Sequence, residues 1–164
     1  MRIRGLEDAK TQIRTQRKQK TQKTQRNFSI ENKINWVYVC TTTPYSMHER
    51  PYQKLIVWKE GHVLCLLVYK ITTKFPSEEK FALTNQMRRS AYSVPTNIAE
   101  GNSRKTTKDR IHFIDIATCS LEELHYQCIL SLDLHYIDQA EFEDLDERIR
   151  KVGYLLYKFR ASQP

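Results

Sequence analysis

The sequence predicts an all-α protein: an antiparallel, up-and-down, left-handed four-helix bundle with a disordered basic N-terminal tail. Three observations predict it. Four stretches beyond Pro51 repeat apolar residues at spacings of three and four, each wide enough to need a core. The connections between them are short, which makes neighbouring helices antiparallel. Residues 10–26, KTQIRTQRKQKTQKTQR, hold Ile13 as their one apolar side chain, too little burial to offset chain entropy. The division expected is a tail and linker over 1–51 and a bundle over 52–162.

Within the first part, Ile34–Cys40 (INWVYVC) is rich in β-branched and aromatic residues and suits an edge strand between chains. Disorder or weak order is preferred to that. Thr41–Pro51, with Pro44 and Pro51, reads as a linker. As a functional element the tail would be a nonspecific phosphate-binding arm, sensitive to salt.

Helix one is expected from Tyr52 or Lys54 to Lys74. Val57, Leu64, Val68, Ile71 and Phe75 form one apolar stripe; Leu55, Trp58, His62, Cys65, Tyr69 and Thr72 form a second. One stripe suffices for a small bundle, so the second points to a helix contact across subunits. Gly61 permits a close approach.

Helix two is expected to begin at Phe75-Pro76-Ser77, with Ser77 as N-cap and Glu78 and Glu79 in the first turn, where unpaired amides favour negative charge. Leu83, Met87, Ala91, Val94 and Ile98 share its inner face. Pro95 removes one helical hydrogen bond and predicts a bend; Gly101 is read as the stop. Beside the inner face runs a polar stripe of Gln86, Arg89, Ser93, Thr96 with Asn97, and Glu100. It is either an exposed side or a second packed surface against another subunit or a ligand.

Thr106 or Thr107 can cap helix three, with Asp109 in its first turn. Phe113, Ile116, Ala117, Ser120, Leu121, Leu124 and Cys128 continue its inner face to about Leu134, and Ile114, Ile129, Leu130 and Leu132 widen it. His135 stands at a helix end where glycine is usual, so a left-handed backbone is expected there. Asp138 and Glu141 form a capping box for helix four, whose inner face is Phe142, Leu145, Ile149, Val152, Leu156 and Phe159.

The stretch from Phe75 to Gly101, FP-x-E-E-x-x-x-L-x-x-Q-x-RR-x-x-x-S-x-P-x-NIAEG, resembles the four-helix-bundle proteins encoded in intervening sequences of bacterial 23S ribosomal RNA genes. The opening YQKL-x-VWK at Tyr52–Lys59 and A-x-x-SLEEL at Ala117–Leu124 fit the same family, so the likeness spans roughly residues 52–162. It marks Gln86, Ser93, Pro95, Asn97, Glu100 and Gly101 as family-motif or interface positions. The family is similar in fold to the accessory protein of diversity-generating retroelements, a pentameric barrel that binds nucleic acid and a reverse transcriptase. The resemblance therefore implies a homo-oligomer, a pentamer, with RNA or DNA and a nucleic-acid-processing protein as partners. Because it begins near Tyr52, Met47 is a candidate start, with the residues before it an extension outside the native protein.

The formal charge is +8, yet residues 1–26 supply nine Lys/Arg against two acids, so the tail alone makes the protein basic. Within the bundle, charge is local. Residues 80–110 carry seven basic side chains against Glu100 and Asp109, whereas residues 111–150 carry ten acids against Arg148 and Arg150. Such polarity serves a nucleic-acid face or head-to-tail subunit contact.

Candidate chemistry is sparse. Glu122-x-x-His125 imitates half of a di-iron motif, but helix four offers Glu147-x-x-Arg150 in place of the second half, and a solvated face accounts for it better. The five histidines and four cysteines show no ligand spacing, the four glycines form no phosphate loop, and no nucleophile elbow occurs. No catalytic residue, metal or cofactor is assigned. Cys65, Cys119 and Cys128 sit in apolar helical patterns and read as reduced core residues of a cytoplasmic protein. Val63–Tyr69, the best apolar run, is far short of the roughly 20 residues a membrane span needs.

Binding remains. Arg88, Arg89, Arg104, Lys105, Lys108 and Arg110 are the candidate nucleic-acid contacts, with Tyr92 the one aromatic placed to stack on a base. The bland alternative is ion pairing, with Arg89 held by Glu100 or by a neighbouring subunit. The function expected is a noncatalytic oligomeric nucleic-acid-binding accessory protein; the rival is a structural or protein-interaction oligomer that binds no nucleic acid.

Overall fold

The computed structural model describes residues 49–164. The basic tail, the Ile34–Cys40 run, Met47, Cys40, His48 and most of the linker lie outside the described residues. Four α-helices follow: α1 Ile56–Ile71, α2 Leu83–Asn102, α3 Thr107–Asp133 and α4 Gln139–Ala161. Short 3₁₀ turns at Pro51–Lys54, Thr72–Lys74 and Ser77–Phe81 flank α1 and precede α2, and the described residues contain no strand.

Each helix packs on two neighbours, α1 on α2 and α4, and α3 on α2 and α4. The pairs run antiparallel. Met87 meets Ser131 at one end of the α2–α3 seam, and Gly101 meets Phe113 at the other. Lys74 pairs with Glu141, and Glu60 with Lys151 at 2.7 Å, along the α1–α4 seam. Val57, Leu64 and Val68 of α1, Met87, Ala91, Val94 and Ile98 of α2, Ala117, Leu121, Leu124 and Cys128 of α3, and Leu145, Ile149, Val152 and Leu156 of α4 meet at the axis. These are the inner faces that the spacing predicts. Ile114 is 1 % exposed and belongs to the core proper, whereas Phe113 and Ile116, expected inside, are half-buried.

The caps follow sequence logic in two places. The Thr106 side chain accepts from the Asp109 amide (3.1 Å), and Asp138 and Glu141 close a reciprocal capping box. His135 takes φ 59°, so its left-handed backbone turns α3 towards α4.

Helix two departs from expectation at both ends. Ser77–Phe81 is a 3₁₀ turn, Ala82 breaks the backbone at φ −109°, ψ −112°, and the α-helix begins only at Leu83. Its first amide is capped by Glu79, whose Oε2 accepts from Leu83 N–H at 3.0 Å while Oε1 accepts from the Tyr136 hydroxyl at 3.2 Å. The long-range tie to Tyr136 fixes that start. At the other end Gly101 lies inside the helix, which runs on to Asn102, and no glycine among the described residues has positive φ. Gly101 is there for space: a Cβ on it would lie 2.9 Å from Phe113 Cβ. Helix one is also shorter than expected, its outer turns being 3₁₀. Cys119 is exposed, which corrects its reading as a core thiol; it sits one position before Ser120, on the outer side of α3.

Candidate functional site

The polar stripe of α2 divides. Gln86, Arg89, Thr96 and Glu100 are exposed, while Ser93 and Asn97 turn inward to α3. Ser93 Oγ lies 2.9 Å from Ser120 Oγ and accepts from Asn97 Nδ2 at 3.0 Å. One turn earlier on α2 the Ser90 hydroxyl donates to Gln127 Oε1 (2.6 Å), and Gln127 Nε2 donates to Glu123 (2.9 Å). Small side chains and paired hydroxyls thus let two backbones approach without stranding a polar atom. Ser93, Asn97 and Gly101 make these contacts inside the chain. Pro95 is buried beside Gly61, where α1 approaches α2, and the helix is continuous through it.

The six predicted basic residues do not form one patch. Arg88 and Arg89 stand thirteen or more residues from the end of α2, roughly 20 Å from the α2–α3 turn. Arg88 is spent on packing: its Nε donates to Thr72 Oγ1 (2.8 Å), and its guanidinium lies 5.0 Å from the Tyr69 ring centre. Arg104 pairs with Glu100 and covers the Phe113 ring at 4.6 Å, so Glu100 is engaged by Arg104 and not by Arg89. Arg110 Nε donates to the Arg104 carbonyl (2.9 Å) and ties the turn. Arg89, Lys105 and Lys108 remain exposed, with no carboxylate partner among the described residues.

Topology adds cations that no motif marks. Since α1 and α3 run opposite to α2 and α4, the start of α1, the α2–α3 turn and the end of α4 share one end of the bundle. Lys54, Lys59 and Lys158 therefore join Lys105 and Lys108 there, all five exposed and without a carboxylate partner among the described residues. Four acids nearby are engaged, Glu60 with Lys151, Glu100 with Arg104, Asp115 with Arg160 (2.8 Å), and Asp109 with the Thr106 hydroxyl (2.7 Å), while Glu49 is exposed before α1. Exposed cations of this kind attract phosphates by charge.

A groove opens between α1 and α2 on the outer side. Trp58, His62 and Tyr69 line one wall and Tyr92, Pro95 and Thr96 the other, around about 470 Å³. Trp58 and His62 stack with ring centres 5.1 Å apart and planes 7° apart; Tyr52 meets Trp58 edge-on at 5.3 Å. Burial lowers the His62 pKa below its ordinary value, so the ring is neutral at pH 7. This wall is the second apolar stripe of helix one. His125 faces Asp146 at 3.4 Å, and no group of three His, Cys, Asp or Glu side chains able to hold a metal ion occurs among the described residues. No helix among them is long and apolar enough to cross a membrane.

Fold and charged end together define a helical-bundle protein with a cationic pole. The model of the 23S rRNA-intervening sequence proteins matches residues 53–158, and the chain belongs to that family. Among solved structures it is similar to a protein of unknown function from the S23 ribosomal protein family of Bacteroides thetaiotaomicron VPI-5482. The two are 21 % identical, with a TM-score of 0.61, over 65 % of this chain and 96 % of that one. At that identity the likeness speaks for the fold. No curated protein matches the chain.

Proposed function

We propose that this chain is a noncatalytic nucleic-acid-binding protein that grips RNA or DNA by its phosphates at the cationic pole of the bundle. The observation that carries this reading is the set of five exposed lysines, Lys54, Lys59, Lys105, Lys108 and Lys158, gathered from three chain segments beside Glu60, Glu100 and Asp115, which are already paired. The family's name places its members with a 23S rRNA intervening sequence, which makes RNA the first ligand to test.

A second reading, a homo-oligomer whose role is structural or protein-interacting, is favoured by Ile56, Tyr126, Tyr154 and Tyr157, each more than 60 % exposed on the outside of the bundle. The pentamer implied by the fold resemblance belongs to this reading and is compatible with the first.

One experiment separates them: binding of RNA and of DNA followed against salt for the full chain and its Lys105→Ala/Lys108→Ala/Lys158→Ala variant, with the mass of each from light scattering. The first reading expects the log–log salt slope to fall by about 2 for single-stranded RNA at unchanged mass. An unchanged slope assigns the grip to the basic tail and defeats it. Altered mass with no binding to lose supports the structural reading.

A further inference from the structure

We propose that the groove between α1 and α2 is a stacking site for an unpaired nucleobase, so that the ligand is single-stranded RNA or DNA whose phosphates lie against Lys59 and Arg89. This rests on the nucleic-acid reading above and adds to it a strand preference and a base site.

The groove has the shape and chemistry that a flat aromatic ligand needs. Trp58 and His62 line one wall as a stacked pair of nearly parallel rings, and Tyr92, 45 % exposed, lines the other. A volume of about 470 Å³ lies within the range of roughly 300–1,000 Å³ typical of small-ligand sites. From Trp58 to Cys65 the wall runs about 10 Å along the helix axis, longer than one base, and Arg88, 5.0 Å from the Tyr69 ring centre, stands at the far end. Base–aromatic stacking tolerates any sequence, because every base has a π-face.

Charge is what separates a base from other apolar occupants. Lys59 lies one turn before His62 on α1 and Arg89 one turn before Tyr92 on α2, both exposed and without a carboxylate partner among the described residues, and the Arg88 guanidinium stands over Tyr69, so cations neighbour the groove-lining residues of both helices. A strand threading the groove would place bases on rings and phosphates on cations. Its Trp58 end abuts the lysines of the cationic pole. A duplex keeps its bases stacked inside and has none to offer.

The test uses the full chain carrying Trp36→Phe, which leaves Trp58 as the sole tryptophan. Tryptophan fluorescence is followed on addition of an oligothymidylate of about 12 nucleotides, a duplex, and an abasic oligomer with the same phosphates. Quenching by the base-bearing single strand alone is expected. Tyr92→Ala should weaken that strand by roughly tenfold to a hundredfold and leave the abasic oligomer unaffected, with Tyr92→Phe retaining affinity. Equal binding of abasic and base-bearing strands, unmoved by Tyr92→Ala, would overturn the groove while the lysine grip stands. A Tyr92→Ala variant that changes mass but not strand binding would assign the groove to a second copy of the chain, and the proposal falls. If no nucleic acid binds, both readings fall together.

Discussion

A methyl group at residue 101 has nowhere to go. Its carbon would sit 2.9 Å from Phe113 Cβ, with the Arg110 carbonyl 3.4 Å away. Gly101→Ala is expected to cost about 1–2 kcal/mol, the overpacking penalty less the helix propensity regained. Gly61 is the control, since its Cβ would meet Val94 at 3.5 Å, an ordinary contact; Gly61→Ala should be neutral to stabilising by about 0.5–1 kcal/mol. Urea midpoints measure both, and equal midpoints would refute the distinction. Read from sequence, a glycine after a helical run looks like a stop, because nothing local reveals that Phe113 lies opposite. The buried thiols carry a second residue-scale prediction. Burial raises Cys65 to about 11 and Cys128 to about 12, the latter with help from Asp146. Folding thus favours the protonated thiols, a contribution complete below about pH 9 and lost as pH rises through the folded values. Stability should fall between about pH 9 and 11 by roughly 1.4 kcal/mol per pH unit for each thiol. Cys128→Ala should remove one share of that slope in pH-dependent urea unfolding; an identical slope would sink the assignment.

Among elements, what was legible was what is local. Asp138 and Glu141, or Thr106 and Asp109, sit three residues apart, and the capping rule needs no other information. The start of α2 was not legible, since Glu79 is held by Tyr136, 57 residues away in sequence. Asp138→Ala is accordingly expected to cost about 1 kcal/mol. Ser77→Ala should cost almost nothing, because Ser77 caps no helix, whereas Glu79→Ala should cost more than either by freeing Leu83 N–H and the Tyr136 hydroxyl. Thermal unfolding of the three variants ranks them; a costly Ser77→Ala would restore the earlier start. The inner faces were legible but for the start of α3, where Ile114 takes the core place expected of Phe113 and Ile116, since an apolar period of 3.6 survives most detail of neighbours. Ser90 and Gln127 were missed, as a single polar residue in a helix carries no sign of the partner that will bury it.

At the scale of the whole molecule, four inner faces and short connections were enough for the bundle, and the bundle in turn distributes the basic residues. The basic residues between Lys80 and Arg110 are close in sequence, but α2 carries Arg88 and Arg89 away from the turn. Lys54, Lys59 and Lys158, distant in sequence, replace them at the pole. Antiparallel order alone would have brought those ends together, had charge been mapped onto topology as well as counted along the chain.

The seam between α2 and α3 has one more consequence. Ser90 with Gln127, and Ser93 with Ser120, are specific rungs, not a uniform apolar surface. Sliding one helix past the other by a turn would part each pair by about 5.4 Å and leave Gln127 Oε1 without its partner, at about 1–3 kcal/mol for a buried group left unmet, while the Ser90 and Ser120 hydroxyls fall back on the Gln86 and Ile116 carbonyls. An alanine or leucine seam would admit the slipped arrangement almost as readily. The hydroxyls and amides therefore work as the teeth of a rack, setting which rung of α2 meets which of α3 and, through Gly101 and Phe113, holding the turn with Lys105 and Lys108 at a fixed height.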